Sequence, residues 1–151
     1  MSKSIEQNNN AKRLGSLGEA LVKSCLLEYS DWCYETCESH PADLIVEFGN
    51  ALYKVQVKSR NRSKEGKYTF PNETHRSKSE AHRNYHCDIY AFVFFPEKRI
   101  LFVPNSSGQR YFVYQKTAII DNMEYDSLQE TLGSLTQIPV IDNLLDLPEK
   151  P

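Results

Sequence analysis

The sequence predicts an α/β fold, a mixed β-sheet flanked by helices, on three observations. Leu14, Leu17, Leu21, Val22, Cys25 and Leu26 recur at the three-and-four spacing of an amphipathic helix. Two apolar runs flank the turn signal Gly49-Asn50, so residues 41–58 read as a β-hairpin. Residues 88–95 form a continuous apolar and aromatic run, the pattern of a strand buried on both faces. With 151 residues and 40% apolar content, the chain suffices for one core and is too short for two ordinary domains. A single domain over residues 1–151 is expected.

Taken in order, residues 1–10 are polar and expected to fray ahead of the first helix. Trp32 and Tyr34 alternate with Cys33 and Glu35, so residues 31–37 read as the first strand, broken by His40-Pro41. In the hairpin, antiparallel pairing sets Phe48 opposite Ala51 and, counting back, Asp43 opposite Gln56. Directly opposed Cβ atoms lie about 4.5–5.5 Å apart, and Lys58 returns to the same face two residues later. That face gathers a carboxylate, an amide and an ammonium. The other carries Leu44, Val46 and Phe48 against Val55, Tyr53 and Ala51, as packing on a core requires. Residues 59–74 turn polar and basic, and Gly66 and Pro71 exclude a long regular element there. A loop or ribbon is expected, with residues 67–70 as a short strand. Ser77 or Ser79 would cap a short helix through Tyr85. The strand over 88–95 is expected to centre the sheet, residues 100–103 to follow as a strand, and residues 111–114 to make a further edge strand. Met123, Tyr125, Leu128 and Leu132 predict a helical piece, while residues 138–147 are apolar but interrupted by Pro139 and aspartates.

Net charge is only -2, yet residues 54–83 hold nine Lys or Arg against three Glu, whereas residues 121–151 hold seven acids against one lysine. No stretch approaches the roughly 18 apolar residues of a membrane span, and the polar start lacks a signal peptide's apolar segment. A cytoplasmic location without membrane contact is the expectation. Cys25, Cys33, Cys37 and Cys87 read as free thiols, since a core of this size needs no staple. Cys33, Cys37, His40, His86 and Cys87 are ligand types for zinc, but Cys33 and Cys37 fall on a strand and the spacing is poor.

An Asp near the start of one strand, followed across a hairpin by the triplet Gln56-Val57-Lys58, resembles the PD-(D/E)XK nuclease superfamily, with Gln56 in place of the triplet acid. Upstream, the run from Leu14 to Val22, with Gly15, Gly18 and Glu19, resembles the glycine-rich opening of that family's first helix, whose glutamate faces the active site. The likeness covers residues 12–95. A chain this small with Gln in the triplet is most similar to an intron-encoded homing endonuclease of this fold. The resemblance implies a restriction-endonuclease-like core and catalysis by Asp43, Gln56, Lys58 and Glu19. It also implies that Asp43, Gln56 and Glu19 ligate Mg²⁺ or Mn²⁺, while Lys58 serves the attacking water. An amide oxygen brings no charge, so Gln56 should weaken metal binding. Mg²⁺ nevertheless needs only one or two carboxylates besides water and phosphate. Against these roles stand an exposed Asp43–Lys58 ion pair, worth at most about 1 kcal/mol, and Glu19 as a helix-dipole partner.

The basic segment points to double-stranded DNA. Arg60, Arg62, Lys64, Lys67, Arg76, Lys78 and Arg83, interleaved with Tyr68 and His75, are the expected contacts, on a ribbon over residues 59–76 that would enter the major groove. A solvated basic surface is the bland alternative. One active site cuts one strand, so a homodimer or homotetramer is expected, with residues 117–151 as candidate subunit contacts. Competing functions are a junction-resolving or repair nuclease of the same fold and a catalytically silent DNA-binding module.

Overall fold

The structure, a computed structural model, describes residues 2–71, 87–105 and 111–135. The helix predicted up to Tyr85 and the apolar stretch over 138–147 lie outside the described residues. The first helix, α1 (Ser2–Tyr29), already includes the polar start, contrary to the expected fraying. No Gly or Pro interrupts it before Gly15, so once its second half is packed the helix extends without a new nucleation cost. Its buried stripe is Gly18, Val22, Leu26 and Tyr29. Leu17 and Leu21, both in the predicted apolar pattern, lie on the flank and are 49% and 43% exposed.

Strands β1 (Trp32–Glu35), β2 (Leu44–Phe48), β3 (Ala51–Arg60), β5 (Ile89–Phe94) and β6 (Arg99–Pro104) form one mixed sheet in the order β1-β2-β3-β5-β6, in which only β3 and β5 run parallel. Strand β4 (Lys67–Pro71) and β7 (Tyr111–Gln115) pair with each other as a separate antiparallel ribbon. This corrects two expectations. The middle strand is β3 and not β5, and residues 111–115 join the ribbon and not an edge of the main sheet. The cause is aromatic packing: Tyr68 and Phe70 of β4 and Phe112 of β7 are buried against Tyr90, Phe92 and Phe94. Phe70 and Phe92 approach to 4.5 Å between ring centroids, and Phe92 and Phe112 to 5.0 Å. Covered by the ribbon on one face, β5 is buried at all six positions.

On the opposite face, α1 and α2 (Met123–Leu135, preceded by a 3₁₀ turn at Lys116–Ala118) close the main core. Val22 and Leu26 of α1 meet Leu44, Val46, Val55, Ile89 and Ala91, and α2 adds Leu128 and Leu132. Helix α2 also caps the sheet edge. Ser127 Oγ accepts the Phe102 N–H at 3.0 Å, Thr131 Oγ1 donates to the Phe102 carbonyl at 2.9 Å, and Glu124 Oε1 accepts the Ile100 N–H at 3.1 Å. Side chains thus stand in for a missing neighbouring strand, satisfying edge groups whose burial would otherwise be costly.

Candidate active site

The hairpin forms in the predicted register, from Phe48 opposite Ala51 to Leu44 opposite Val55. Of its two turn residues only Gly49 has positive φ, at 59°, the type II′ signature that keeps both strands twisted together. Asp43 sits one step before β2, and its N–H donates to the Val55 carbonyl at 3.0 Å. Its carboxylate Oδ2 accepts two hydrogen bonds of 2.8 Å, from Gln56 Nε2 and from the Val57 N–H. Two donors on one oxygen fix the carboxylate's plane. With Nε2 committed to Asp43, the Gln56 amide oxygen is the atom through which that residue would reach a cation.

The loop before Asp43 fixes the backbone from which the carboxylate projects. Strand β1 ends at Glu35 and not at Cys37, because Thr36 turns its hydroxyl onto the carbonyls of Ala42 and Asp43, the latter at 3.0 Å. His40 Nδ1 accepts the Ala42 N–H at 3.0 Å. This turn opens a cleft of about 510 Å³ in which Glu19 of α1 faces Asp43, joined by Glu35, Glu38 and His40. The last three were not singled out from sequence as catalytic. Their clustering within nine residues of Asp43 was the available signal.

Partial burial, then the negative charges of Asp43 and Glu35, raise the Glu19 carboxyl above its ordinary range. A raised carboxyl binds its proton more tightly folded than unfolded, so its stabilising contribution is present in acid and disappears as pH rises through the folded value. Glu19→Gln is therefore expected to raise the melting temperature of metal-free protein at neutral pH. The gain should vanish below the unfolded carboxylate range. A gain of equal size at every pH would show that charge crowding at Glu19 is not the cause.

Among the described residues, no three His, Cys, Asp or Glu side chains alone form a metal-ligand group. The oxygen set at hand is the Asp43 and Glu19 carboxylates with the Gln56 amide. Crowded carboxylates and an amide oxygen, without thiolates, fit a hard divalent cation that keeps several waters.

Lys58 shares the sheet face of Gln56, the two lying opposite Phe92 and Tyr90 of β5. Its ammonium is 6.0 Å from the Tyr90 ring centroid. The nearby Cys87 thiol feels the charges of both Lys58 and Asp43, although burial is what chiefly pushes it up to about 12. Asp43 therefore touches Gln56 and shares a cleft with Glu19, whereas Gln56 and Lys58 both stand on the sheet outside the lining of that cleft, Gln56 joined to it through Asp43.

Arg62, Lys64 and Lys67 are exposed around the turn from β3 to β4. Arg60 has a structural duty: its Nε donates to the Thr69 carbonyl at 3.1 Å and its guanidinium lies 5.2 Å from the Phe70 ring centroid, tying the ribbon to β3. Tyr68 is a correction. It is 1% exposed and its hydroxyl donates to Glu97 at 2.7 Å, because strand alternation turns Tyr68 and Phe70 inward and Lys67 and Thr69 outward. It builds the core beneath the ribbon and cannot stack on DNA. His75, Arg76, Lys78 and Arg83 lie outside the described residues.

A family model described as PD-(D/E)XK endonuclease matches residues 9–120, from within α1 through the hairpin, the ribbon and β5–β6. The chain belongs to the PD-(D/E)XK endonuclease family. It is thereby a nuclease by family, and nucleases of the PD-(D/E)XK type generally use divalent metals. The structure is similar to that of a bacterial homing endonuclease, I-Ssp6803I, with a TM-score of 0.58 and 16% identity over 82% of this chain and 94% of that one. That likeness carries the restriction-endonuclease-like fold. No curated protein matches this PD-(D/E)XK chain in sequence.

Proposed function

We propose that the protein is a site-specific endonuclease acting on double-stranded DNA, homing-endonuclease-like, with Mg²⁺ or Mn²⁺ as cofactor and the cytoplasm as its compartment. The supporting observation is the Asp43 carboxylate, oriented by Gln56 and Val57 at 2.8 Å each and facing Glu19 across one cleft. When bound, a divalent cation supplies Lewis acidity at the scissile phosphate and an acidified water. Asp43 and Glu19 hold it by charge, and Gln56 adds a neutral oxygen. The Val57 N–H keeps Asp43 in place before substrate arrives, so little reorganisation is needed during reaction. Lys58 orients the attacking water through its ammonium and offsets the negative charge that builds on the phosphate. Arg62, Lys64 and Lys67 contact backbone phosphates. Two or four copies, joined through residues 117–151, would bring a second site to the other strand.

The test is incubation of the purified protein with a DNA library and Mg²⁺, followed by mapping of the new ends. Cuts at one defined sequence are expected. Cuts confined to four-way junctions, or no metal-dependent ends at all, would remove this reading. Gln56 gives a sharper check. Gln56→Glu replaces the donor to Asp43 with a second carboxylate, so metal-free protein should melt lower while apparent Mg²⁺ affinity rises on the order of tenfold. That is a fraction of the ~4 kcal/mol available to unit charges 4 Å apart at an effective dielectric of 20. Unchanged metal dependence would show that Gln56 is not a ligand.

A further inference from the structure

The first half of α1 has no obvious structural employment. Described residues 5–13 are all exposed, a helical overhang of roughly 13 Å at 1.5 Å per residue. It carries Asn8, Asn9 and Asn10 in a row, which are poor helix formers, and no acid stands three or four residues from Lys12 or Arg13 to support the helix by ion pairing. A helix that is polar apart from Ile5 and Ala11 and lacks such pairs calls for a polar partner. One side of it bounds a cleft of about 550 Å³ against the turn that follows β3. Gln7, Asn10 and Arg13 come from the helix, with Ala11, Leu14 and Leu17 as its apolar floor, Asn61 and Arg62 come from the turn, and no acid among the described residues lines it. In a chain with more acids than bases, a cleft whose polar lining among the described residues is two arginines and three amides, without a carboxylate, is complementary to a polyanion.

We propose that this cleft is a second DNA-binding surface, which grips the duplex backbone beside the cut and not at it. The inference rests on the proposed endonuclease function and adds α1 to the interface. Arg13 and Arg62 take phosphates from two sides, and the amides of Gln7, Asn10 and Asn61 reach phosphate oxygens or base edges. Arg62 follows Lys58 by four residues, at most about 13 Å of chain at 3.3 Å each, with β3 ending at Arg60. That is the rise of about four nucleotides along one DNA strand, so the cleft meets DNA flanking the scissile phosphate.

The test is fluorescence anisotropy of the full chain with duplex DNA of arbitrary sequence, without divalent metal, across a salt series. Arg13→Ala should weaken binding and reduce the slope of log K against log salt by about 0.9, and Arg13→Ala with Arg62→Ala by about twice that. Alanine is the best helix former, so the helix survives the substitution. Lys12→Ala, whose side chain does not line the cleft, should change the slope by less than half as much. An unchanged slope for Arg13→Ala, or an equal loss for Lys12→Ala, overturns the proposal. Cleavage by the unaltered protein is scored separately. If it binds without any metal-dependent cut while Arg13→Ala still flattens the slope, the endonuclease reading fails and the cleft stands. If it cuts and Arg13→Ala binds like wild type, the reverse holds.

Discussion

Asp43→Ala is expected to reduce metal-dependent cleavage by about 10³-fold or more, the several kcal/mol that a carboxylate-held cation contributes to the transition state. It should also lower stability, because Asp43 Oδ2 is the acceptor for two donors in the partly buried strand region, Gln56 Nε2 and the Val57 N–H. Leaving such donors unmatched costs about 1–3 kcal/mol. Lys58→Ala should behave differently. Its cleavage loss, about 10²–10³-fold, is that of a single charge-stabilising donor, with a much smaller change in melting temperature. Single-turnover rates at saturating Mg²⁺, measured beside thermal melts, separate the two effects. If Lys58→Ala cuts at the wild-type rate, the ammonium has no part in the chemistry. If Asp43→Ala loses stability but not cleavage, Asp43 is a structural acceptor and the metal site must be placed elsewhere.

The pair Asp43–Gln56 was legible in the sequence because the hairpin is local: a two-residue turn fixes the register, and period-two alternation fixes the face. The ribbon was not legible in the same way. Strands β4 and β7 lie some forty residues apart in sequence, and nothing near Lys67 or Tyr111 names a partner. The alternation of Tyr68 with Phe70 and of Phe112 with Tyr114 showed only that each strand has an apolar side. Read without a partner, Tyr68 counted among the DNA contacts of a basic ribbon. Glu35, Glu38 and His40 were hidden for another reason. Glu35 enters the cleft as the last residue of β1, and Glu38 and His40 enter it through the irregular turn that Thr36 and His40 tie to Ala42 and Asp43, where side-chain-to-backbone bonds leave no periodic trace. Glu19 was visible only through its glycine-rich context, and of those glycines the structure gives a packing reason for Gly18, while a Cβ at Gly15 would meet nothing within 4 Å.

Gly18→Ala is the second large effect. A Cβ at Gly18 would overlap Ser59 Oγ and stand 3.3 Å from Ser59 Cβ and 3.6 Å from Val57 Cγ1. Helix α1 therefore lies on β3 so closely that a side chain at Gly18 competes with the Ser59 hydroxyl for the same space, and Glu19, the next residue, is delivered to the cleft by that approach. Replacing a mid-helix glycine by alanine gains up to about 1 kcal/mol of helix propensity, whereas forcing an extra carbon into a packed contact costs about 1–3 kcal/mol. The clash should win, giving a net loss of up to about 2 kcal/mol. Activity should fall further than stability, since an ångström of helix displacement at a catalytic group costs on the order of 10²-fold. Ser59 decides the interpretation. Its hydroxyl is buried without a hydrogen-bond partner among the described residues, so Ser59→Ala removes the overlapping atom at little cost. The double variant should recover the melting temperature, and with it the cleavage rate. If the double variant regains stability but stays inactive, Gly18 serves the chemistry by some route other than helix placement. If Gly18→Ala alone is as active and stable as the parent, the close approach of α1 to β3 does not position Glu19.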